Sequence, residues 1–123
     1  SIFGDVVRVL PIELPQGNAL HLKSMVTHLD DSTLVAPKGF VGDLLLERLP
    51  KDYDVVRIPD LLTCNLVAVN GIALLQDGTG CLESKEALDK ACRERDIDAR
   101  WLDTSELAKV DGALTCCSVL LDL

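Results

Sequence analysis

The sequence is poor in aromatic side chains and in positive charge. Aromatic residues make up 3% of its 123 residues, so it offers few of the flat rings on which single-stranded nucleic acids stack. Twelve basic residues stand against 20 acidic ones, a formal net charge of −8. Because such a surface repels phosphate backbones and anionic lipid, we expect neither nucleic acid nor membrane among its partners.

Long apolar runs are also missing from the sequence, and we expect no secretory leader. No run approaches the roughly 18 apolar residues of a membrane span, and Ser1–Asp5 lacks a basic n-region. The five cysteines are odd in number and contain no C-x-x-C, which indicates reduced thiols and a cytoplasmic protein. We interpret Cys64, Cys81 and Cys92 as small buried hydrophobes.

What is present is a chain with 48% apolar residues, enough for one core, and we predict a single domain over 1–123. Alternation and β-branched residues predict a set of short strands. These are Val6–Leu10, Leu20–Thr27, Thr33–Ala36, Tyr53–Ile58, Asn65–Val69, Ile72–Gln76, Ala99–Leu102 and Ala113–Leu121. Helical spacing predicts Phe40–Leu49, a helix capped by Ser84 that ends near Asp96, and a short turn over Thr104–Lys109. Leu29–Ser32 is predicted as a turn.

The order of these elements predicts an α+β fold with small mixed sheets. The clearest local signal is Asn70-Gly71 between two apolar runs, which is typical of a two-residue type I′ hairpin. The two halves look alike, each with a hairpin, a helix and a returning strand over about 50 residues, a length found in repeat architectures.

The chemistry of the chain centres on the vicinal pair Cys116-Cys117, which follows the turn Asp111-Gly112. A thiol at the start of a strand can act as a nucleophile when a base or a cation stabilises its thiolate. Composition alone favours the other interpretation, in which both thiols belong to the core. A disulfide between adjacent residues fits the required geometry poorly.

His21 is the candidate base, on the face of its predicted strand opposite Leu20 and Leu22. The residues alone favour a surface or satisfied strand histidine at this position, and His28 beside the Asp30-Asp31 turn is interpreted that way. A metal pair of the two histidines is disfavoured, since their spacing of seven places them on opposite faces. Asp111 could close the turn or bind a cationic group of a substrate, and the turn is the simpler interpretation.

Two segments resemble the dimethylarginine dimethylaminohydrolase family of the pentein, or guanidine-modifying, superfamily. They are Leu20-His21-Leu22-Lys23-Ser24 and Glu106-Leu107-Ala108-Lys109-Val110-Asp111-Gly112-Ala113-Leu114-Thr115-Cys116-Cys117-Ser118-Val119. The resemblance covers only the C-terminal half of the family's length. It implies a partial pentein propeller of about two ββαβ modules, out of the five that close the family's ring.

The resemblance also implies a role for each matched residue. Cys116 would attack the guanidinium carbon of a methylated arginine, and His21 would act as general acid and base. Val110 and Asp111 would contact the amino-acid end of this cationic guanidino substrate. The reaction would yield citrulline and an amine, with no metal and no organic cofactor.

The family's catalytic acid and the residues that grip its substrate lie upstream of the matched region. We therefore expect a chain that is inactive or weak by itself and that associates with a missing N-terminal half or as a homo-oligomer. The alternatives are a truncated, non-catalytic pentein that serves as a binding or oligomerisation module, and an arginine deiminase-like half.

Overall fold

The computed structural model describes residues 25–49, 52–77, 81–108 and 114–117. Two successive groups of elements in it have the same order of strand, strand, helix and strand. In chain order the elements are β1 (Thr27–Asp30), β2 (Thr33–Pro37), α1 (Phe40–Glu47), β3 (Asp54–Ile58), α2 (Leu61–Cys64), β4 (Val67–Val69), β5 (Ile72–Gln76), α3 (Leu82–Glu94), β6 (Asp98–Leu102), α4 (Ser105–Ala108) and a 3₁₀ helix at Leu114–Cys117.

Each module forms a three-stranded mixed sheet with its second strand in the middle. In the first, β2 pairs antiparallel with β1 and parallel with β3. In the second, β5 pairs antiparallel with β4 and parallel with β6. A parallel third strand needs a crossover connection, which α1 and α3 supply. The prediction of an α+β chain with two ββαβ modules is therefore confirmed.

The hairpin of the second module forms at the predicted dipeptide. Asn70 and Gly71 have φ angles of 52° and 77°, the pair of positive values that a type I′ turn requires. Val69 and Ile72 face each other on either side of the turn. The turn chemistry thus sets the register of β4 and β5.

The core is built from aliphatic side chains and two thiols, as expected from the low aromatic content. Its buried members are Leu29, Val35, Ile58, Cys64, Leu66, Ala68, Ala73, Leu75, Leu88, Ala91 and Cys92. β1 lies against β4, and α3 packs on β3 of the first sheet as well as on β6 of its own. Helix α3 therefore covers part of both modules, and one apolar cluster spans the two.

Hydrogen bonds also join the modules. The hydroxyl of Thr27 in β1 donates to the carbonyl of Cys64, at 2.6 Å. Nε of Arg95, which follows α3, donates to Oγ1 of Thr33 at 3.0 Å. Because Thr27 is buried, the loss of its bond would leave a polar atom without a partner away from water.

The first hairpin is tighter than predicted. The sequence predicted a turn over Leu29–Ser32, but β1 includes Leu29 and Asp30, and the turn itself is Asp31-Ser32. Leu29 is drawn into the strand because its side chain is buried in the core. A carboxylate oxygen of Asp30 accepts the amide of Ser32 at 2.9 Å, which closes the turn. The part of the predicted strand before Met25 lies outside the described residues, as does the strand predicted at Val6–Leu10.

Helix boundaries differ from the prediction in two places. α3 begins at Leu82, so Ser84 is an interior residue and not the cap; its hydroxyl donates to a carboxylate oxygen of Asp60. α2 was not predicted at all. It is a single turn whose N-cap is Asp60, which accepts the amide of Thr63 at 3.0 Å. An Asp directly after Pro59 is a typical N-cap signal. The apolar segment that follows it is too short to predict a helix by its spacing.

The C-terminal strand prediction is wrong for the residues that the structure describes there. Leu114–Cys117 forms a 3₁₀ helix, and the amide of Thr115 is used in a bond to a side chain instead of a sheet ladder. The remainder of the predicted Ala113–Leu121 strand lies outside the described residues. The expectation that Cys116 lies at the start of a strand is therefore wrong.

Helix α1 approaches the end of β2 so closely that only glycine fits at position 42. A Cβ atom there would lie 1.9 Å from the carbonyl oxygen of Pro37 and 2.8 Å from Nη2 of Arg57. Arg57 holds this contact from the other side, with Nη2 donating to Pro37 O and to Asp43 Oδ1, both at 2.8 Å. The packing of α1 against β2 therefore requires a residue without a side chain at position 42.

We predict that Gly42→Ala destabilises the chain by about 1–3 kcal/mol, as overpacking does. Ala normally gains about 1 kcal/mol over Gly inside a helix, so the clash must outweigh that gain. Val41→Ala, one position away on the half-exposed side of α1, is the control and should change stability by less than about 1 kcal/mol. Urea unfolding measures both variants. A Gly42→Ala chain more stable than wild type would show that the close approach is absent.

Candidate functional site

The structure places one of the four residues predicted for the site. Cys116 lies on the 3₁₀ helix Leu114–Cys117, while His21, Val110 and Asp111 lie outside the described residues. His28 is an exposed residue of β1, as the interpretation of it as a surface histidine predicted.

Asn65 anchors the 3₁₀ helix to the second module. Its side-chain oxygen Oδ1 accepts the backbone amide of Thr115 at 3.0 Å. Both residues are buried, Asn65 with 3% of its surface exposed and Thr115 with 6%. A hydrogen bond to a buried amide is costly to lose, since the amide would otherwise have no partner away from water. This bond fixes the backbone one residue before Cys116.

Asn65 is itself held by Gln76, the last residue of β5. Nε2 of Gln76 donates to the carbonyl oxygens of Asn65 at 2.9 Å and of Leu62 at 3.0 Å. The amide of Asn65 donates in turn to Leu62 O at 3.1 Å. Gln76 is 1% exposed, so these bonds lie in the interior. The central strand of the second module thereby positions the loop that carries Asn65.

The same loop receives the start of β1. The hydroxyl of Thr27 donates to the carbonyl of Cys64, the residue before Asn65. His21 precedes Thr27 by six positions, a span of at most about 20 Å of extended chain. The loop at Cys64-Asn65 thus joins the first residue of β1 to the 3₁₀ helix that carries Cys116.

The thiols of the described residues differ in their surroundings. Burial raises the pKa of Cys64 to about 12, and the neighbouring Asp60 carboxylate adds to this effect. Burial also raises the pKa of Cys92, with Asp89 as a further cause. Both thiols are core residues, as predicted, and resist ionisation. Cys81 differs from the prediction, because it is partly exposed at the N-terminus of α3.

Across 25–49, 52–77, 81–108 and 114–117, no group of three or more His, Cys, Asp or Glu side chains could hold a metal ion. In the same ranges no helix has the length and apolar character needed to cross a membrane.

Asn65 and Gln76 are the two site-supporting residues that the sequence did not single out. Each is a polar residue at the boundary of an apolar run, a position that also suits an ordinary loop residue. Their pairing depends on α2, which was not predicted. The supporting role of these two residues becomes visible only because their polar side chains are buried away from water. Burial cannot be determined from a single sequence.

The architecture defines the class of the chain. Two successive ββαβ modules, each with an antiparallel first pair and a parallel third strand, are the repeating unit of the pentein fold. No protein-family model matches the sequence, and no curated protein matches it. Solved structures do match, and they confirm the resemblance to the pentein superfamily at the level of the fold.

Three of these structures show how far the likeness extends. A dimethylarginine dimethylaminohydrolase adduct with 4-chloro-2-hydroxymethylpyridine has a TM-score of 0.61 and 23% identity, over 82% of this chain and 38% of the other. The dimethylarginine dimethylaminohydrolase of Pseudomonas aeruginosa, a cysteine-to-serine mutant with citrulline, gives 0.61 and 22%, over 82% and 36%. A putative arginine deiminase from Porphyromonas gingivalis gives 0.57 and 18%, over 78% and 36%. The chain thus spans little more than a third of each of them.

We predict that Asn65→Ala frees the 3₁₀ helix, because the buried Thr115 amide loses its acceptor. A loss of about 1–3 kcal/mol at this bond corresponds to exchange of the Thr115 amide hydrogen that is about 10–100-fold faster. The amide of Leu75 in the central strand β5 is the internal control, since a general loss of stability would accelerate both. An unchanged Thr115 to Leu75 ratio in hydrogen exchange would contradict the anchoring role of Asn65.

A second prediction concerns the stability of the chain at alkaline pH. The folded state raises the pKa of Cys64 from 9.0 to about 12, so the stability from its neutral form is complete below about pH 9. It is lost as pH rises from 9 towards 12, because only the unfolded chain ionises there. Between pH 9 and 10.5 the free energy of unfolding should fall more steeply in wild type than in Cys64→Ala, by about 1 kcal/mol per pH unit. Equal slopes would show that Cys64 ionises in the folded chain.

Proposed function

We propose that the chain carries part of the active site of a guanidine-modifying hydrolase, with Cys116 as nucleophile and His21 as general acid and base. Its substrate is a methylated arginine, which the reaction splits into citrulline and an amine. Val110 and Asp111 contact the amino-acid end of that substrate. The structural neighbours support this proposal, because they include dimethylarginine dimethylaminohydrolases and a structure with citrulline.

The observation that carries the proposal is the loop at Cys64-Asn65. It holds the start of β1 through Thr27 and the 3₁₀ helix of Cys116 through Thr115. One of the two chain segments on which the family resemblance rests thus bonds to this loop, and the other, Leu20–Ser24, ends three positions before Thr27 in the sequence. A nucleophile and a base must lie on both sides of one substrate carbon, and we infer that this shared anchor serves to bring the two segments together.

The proposed reaction uses two proton transfers by His21 and no oxidant. The Cys116 thiolate forms a bond to the guanidinium carbon, and the C–N bond to the methylated nitrogen breaks as His21 protonates the leaving amine. His21 then takes a proton from water, whose oxygen bonds to the same carbon. The C–S bond breaks, the new hydroxyl group loses its proton to solvent to form the carbonyl of citrulline, and the thiolate is restored. A bound guanidinium cation favours the thiolate, so the substrate assists its own attack.

A guanidinium-like electrophile tests the activation of Cys116 without requiring turnover. With 2-chloroacetamidine at pH 7, we expect Cys116 to be alkylated at least about tenfold faster than Cys81, since an activated thiol ionises more readily. Cys81 is a stringent control, because it is partly exposed at a helix N-terminus and lines the same cavity as Asp77, whose carboxylate also attracts a cationic reagent. Neutral iodoacetamide should reduce the preference. Peptide mass spectrometry gives both rates, and equal alkylation of the two thiols would contradict the proposal.

Turnover is tested by citrulline release from asymmetric dimethylarginine and from arginine. We expect a low rate that Cys116→Ala abolishes and that His21→Ala lowers by about 10²–10⁴-fold, as the loss of a general acid–base does. Cys117→Ala and Cys81→Ala should retain it. A background equal to that of Cys116→Ala would contradict the hydrolase and favour a non-catalytic binding module on the same scaffold.

A further inference from the structure

A cavity that does not involve Cys116 lies between the end of β5 and the beginning of α3. Its volume is about 200 Å³, and its lining includes Thr63, Gln76, Asp77, Cys81, Lys85 and Trp101. At about 30 Å³ for each water of the liquid, it has room for about six waters or for one small organic molecule.

A buried hydrogen-bond acceptor in the wall of this cavity has no partner. The side chain of Gln76 is 1% exposed, and Nε2 is fully used by the carbonyls of Leu62 and Asn65. Among the described residues, nothing donates a hydrogen bond to its Oε1 atom. Because the two bonds of Nε2 fix the orientation of the amide, Oε1 is assigned as an acceptor. An unpaired buried acceptor costs about 1–3 kcal/mol, which a donor in the cavity would recover.

The mouth of the cavity already holds an ammonium group of the chain itself. Nζ of Lys85 lies 3.0 Å from Oδ2 of Asp77 and 5.2 Å from the centroid of the Trp101 ring. The ring is fixed by its own N–H, which donates to Asp89 Oδ1 at 2.8 Å. A carboxylate and an aromatic face together recognise a cation. Since Lys85 and Asp77 are both about 40% exposed, this pair can open to solvent.

We propose that the cavity is a binding site for a small organic cation with N–H donors, of the alkylammonium class. The ligand donates to Oε1 of Gln76 and places its positive charge near Asp77 and Trp101. Lys85 competes with the ligand for Asp77 and Trp101, because its own ammonium group already contacts both of them. The proposal does not depend on the hydrolase proposed above, because binding in this cavity needs neither Cys116 nor His21.

The probe is n-butylammonium chloride, which reproduces the Lys85 side chain, titrated into the full chain. The only tryptophan of the chain lines the cavity, so its fluorescence reports occupancy. A ligand of this size binds with a Kd of about 1–10 mM when it is well accommodated. We expect Lys85→Met to bind about tenfold more tightly than wild type, because the competitor is gone, and Asp77→Asn to bind more weakly. Glu94→Gln, at the far end of α3, is the charge-matched control and should bind as wild type does.

A second measurement locates the probe within the cavity. In the Lys85→Met variant, saturation should shift the side-chain amide resonances of Gln76 and the indole N–H resonance of Trp101 in ¹⁵N spectra. n-Butanol at the same concentration should produce neither shift to the same extent. Absence of saturable binding to Lys85→Met would overturn the proposal. Equal binding of n-butanol would overturn the cationic class, and unshifted Gln76 resonances would overturn the assigned position.

Discussion

The described structure depends on one buried polar connection, which runs from Gln76 to Asn65 and from Asn65 to the amide of Thr115. The interior is mostly aliphatic, and an unpaired amide there costs about 1–3 kcal/mol. Each group of the connection therefore holds the next in place. It joins the central strand of the second module to a segment 50 positions away, and it sets the backbone next to Cys116.

Most of the fold was predictable, because the signals that define it are local. The positive φ angles at Asn70 and Gly71 follow from the residue types, and the repeated order of hairpin, helix and strand follows from apolar spacing. The predictions that were wrong concern segments whose conformation depends on long-range contacts. Leu29 extends β1 because the core takes its side chain, and Leu114–Cys117 leaves the strand geometry because Thr115 bonds to Asn65.

The chemistry of the candidate site stays a prediction, and the residues that support it were not predicted. Cys116 and His21 are proposed from thiol and imidazole reactivity together with a family resemblance, and only the backbone of Cys116 is placed by the described residues. Asn65 and Gln76 have unremarkable positions in the sequence, and their importance appears only with their burial. Cys81 is a similar case. Composition predicted that it would be buried like Cys64 and Cys92, yet it lies partly exposed at the start of α3.

The central claim is that this pentein scaffold brings Cys116 and His21 to the two sides of one substrate carbon. An experimentally determined structure tests it through the distance between Sγ of Cys116 and the nearer ring nitrogen of His21. Each group must approach the reacting carbon to about 3–3.5 Å, so the account predicts a separation of about 7 Å or less with open space between the two. A separation well beyond about 10 Å, or a Cys116 side chain packed in the core, would contradict it.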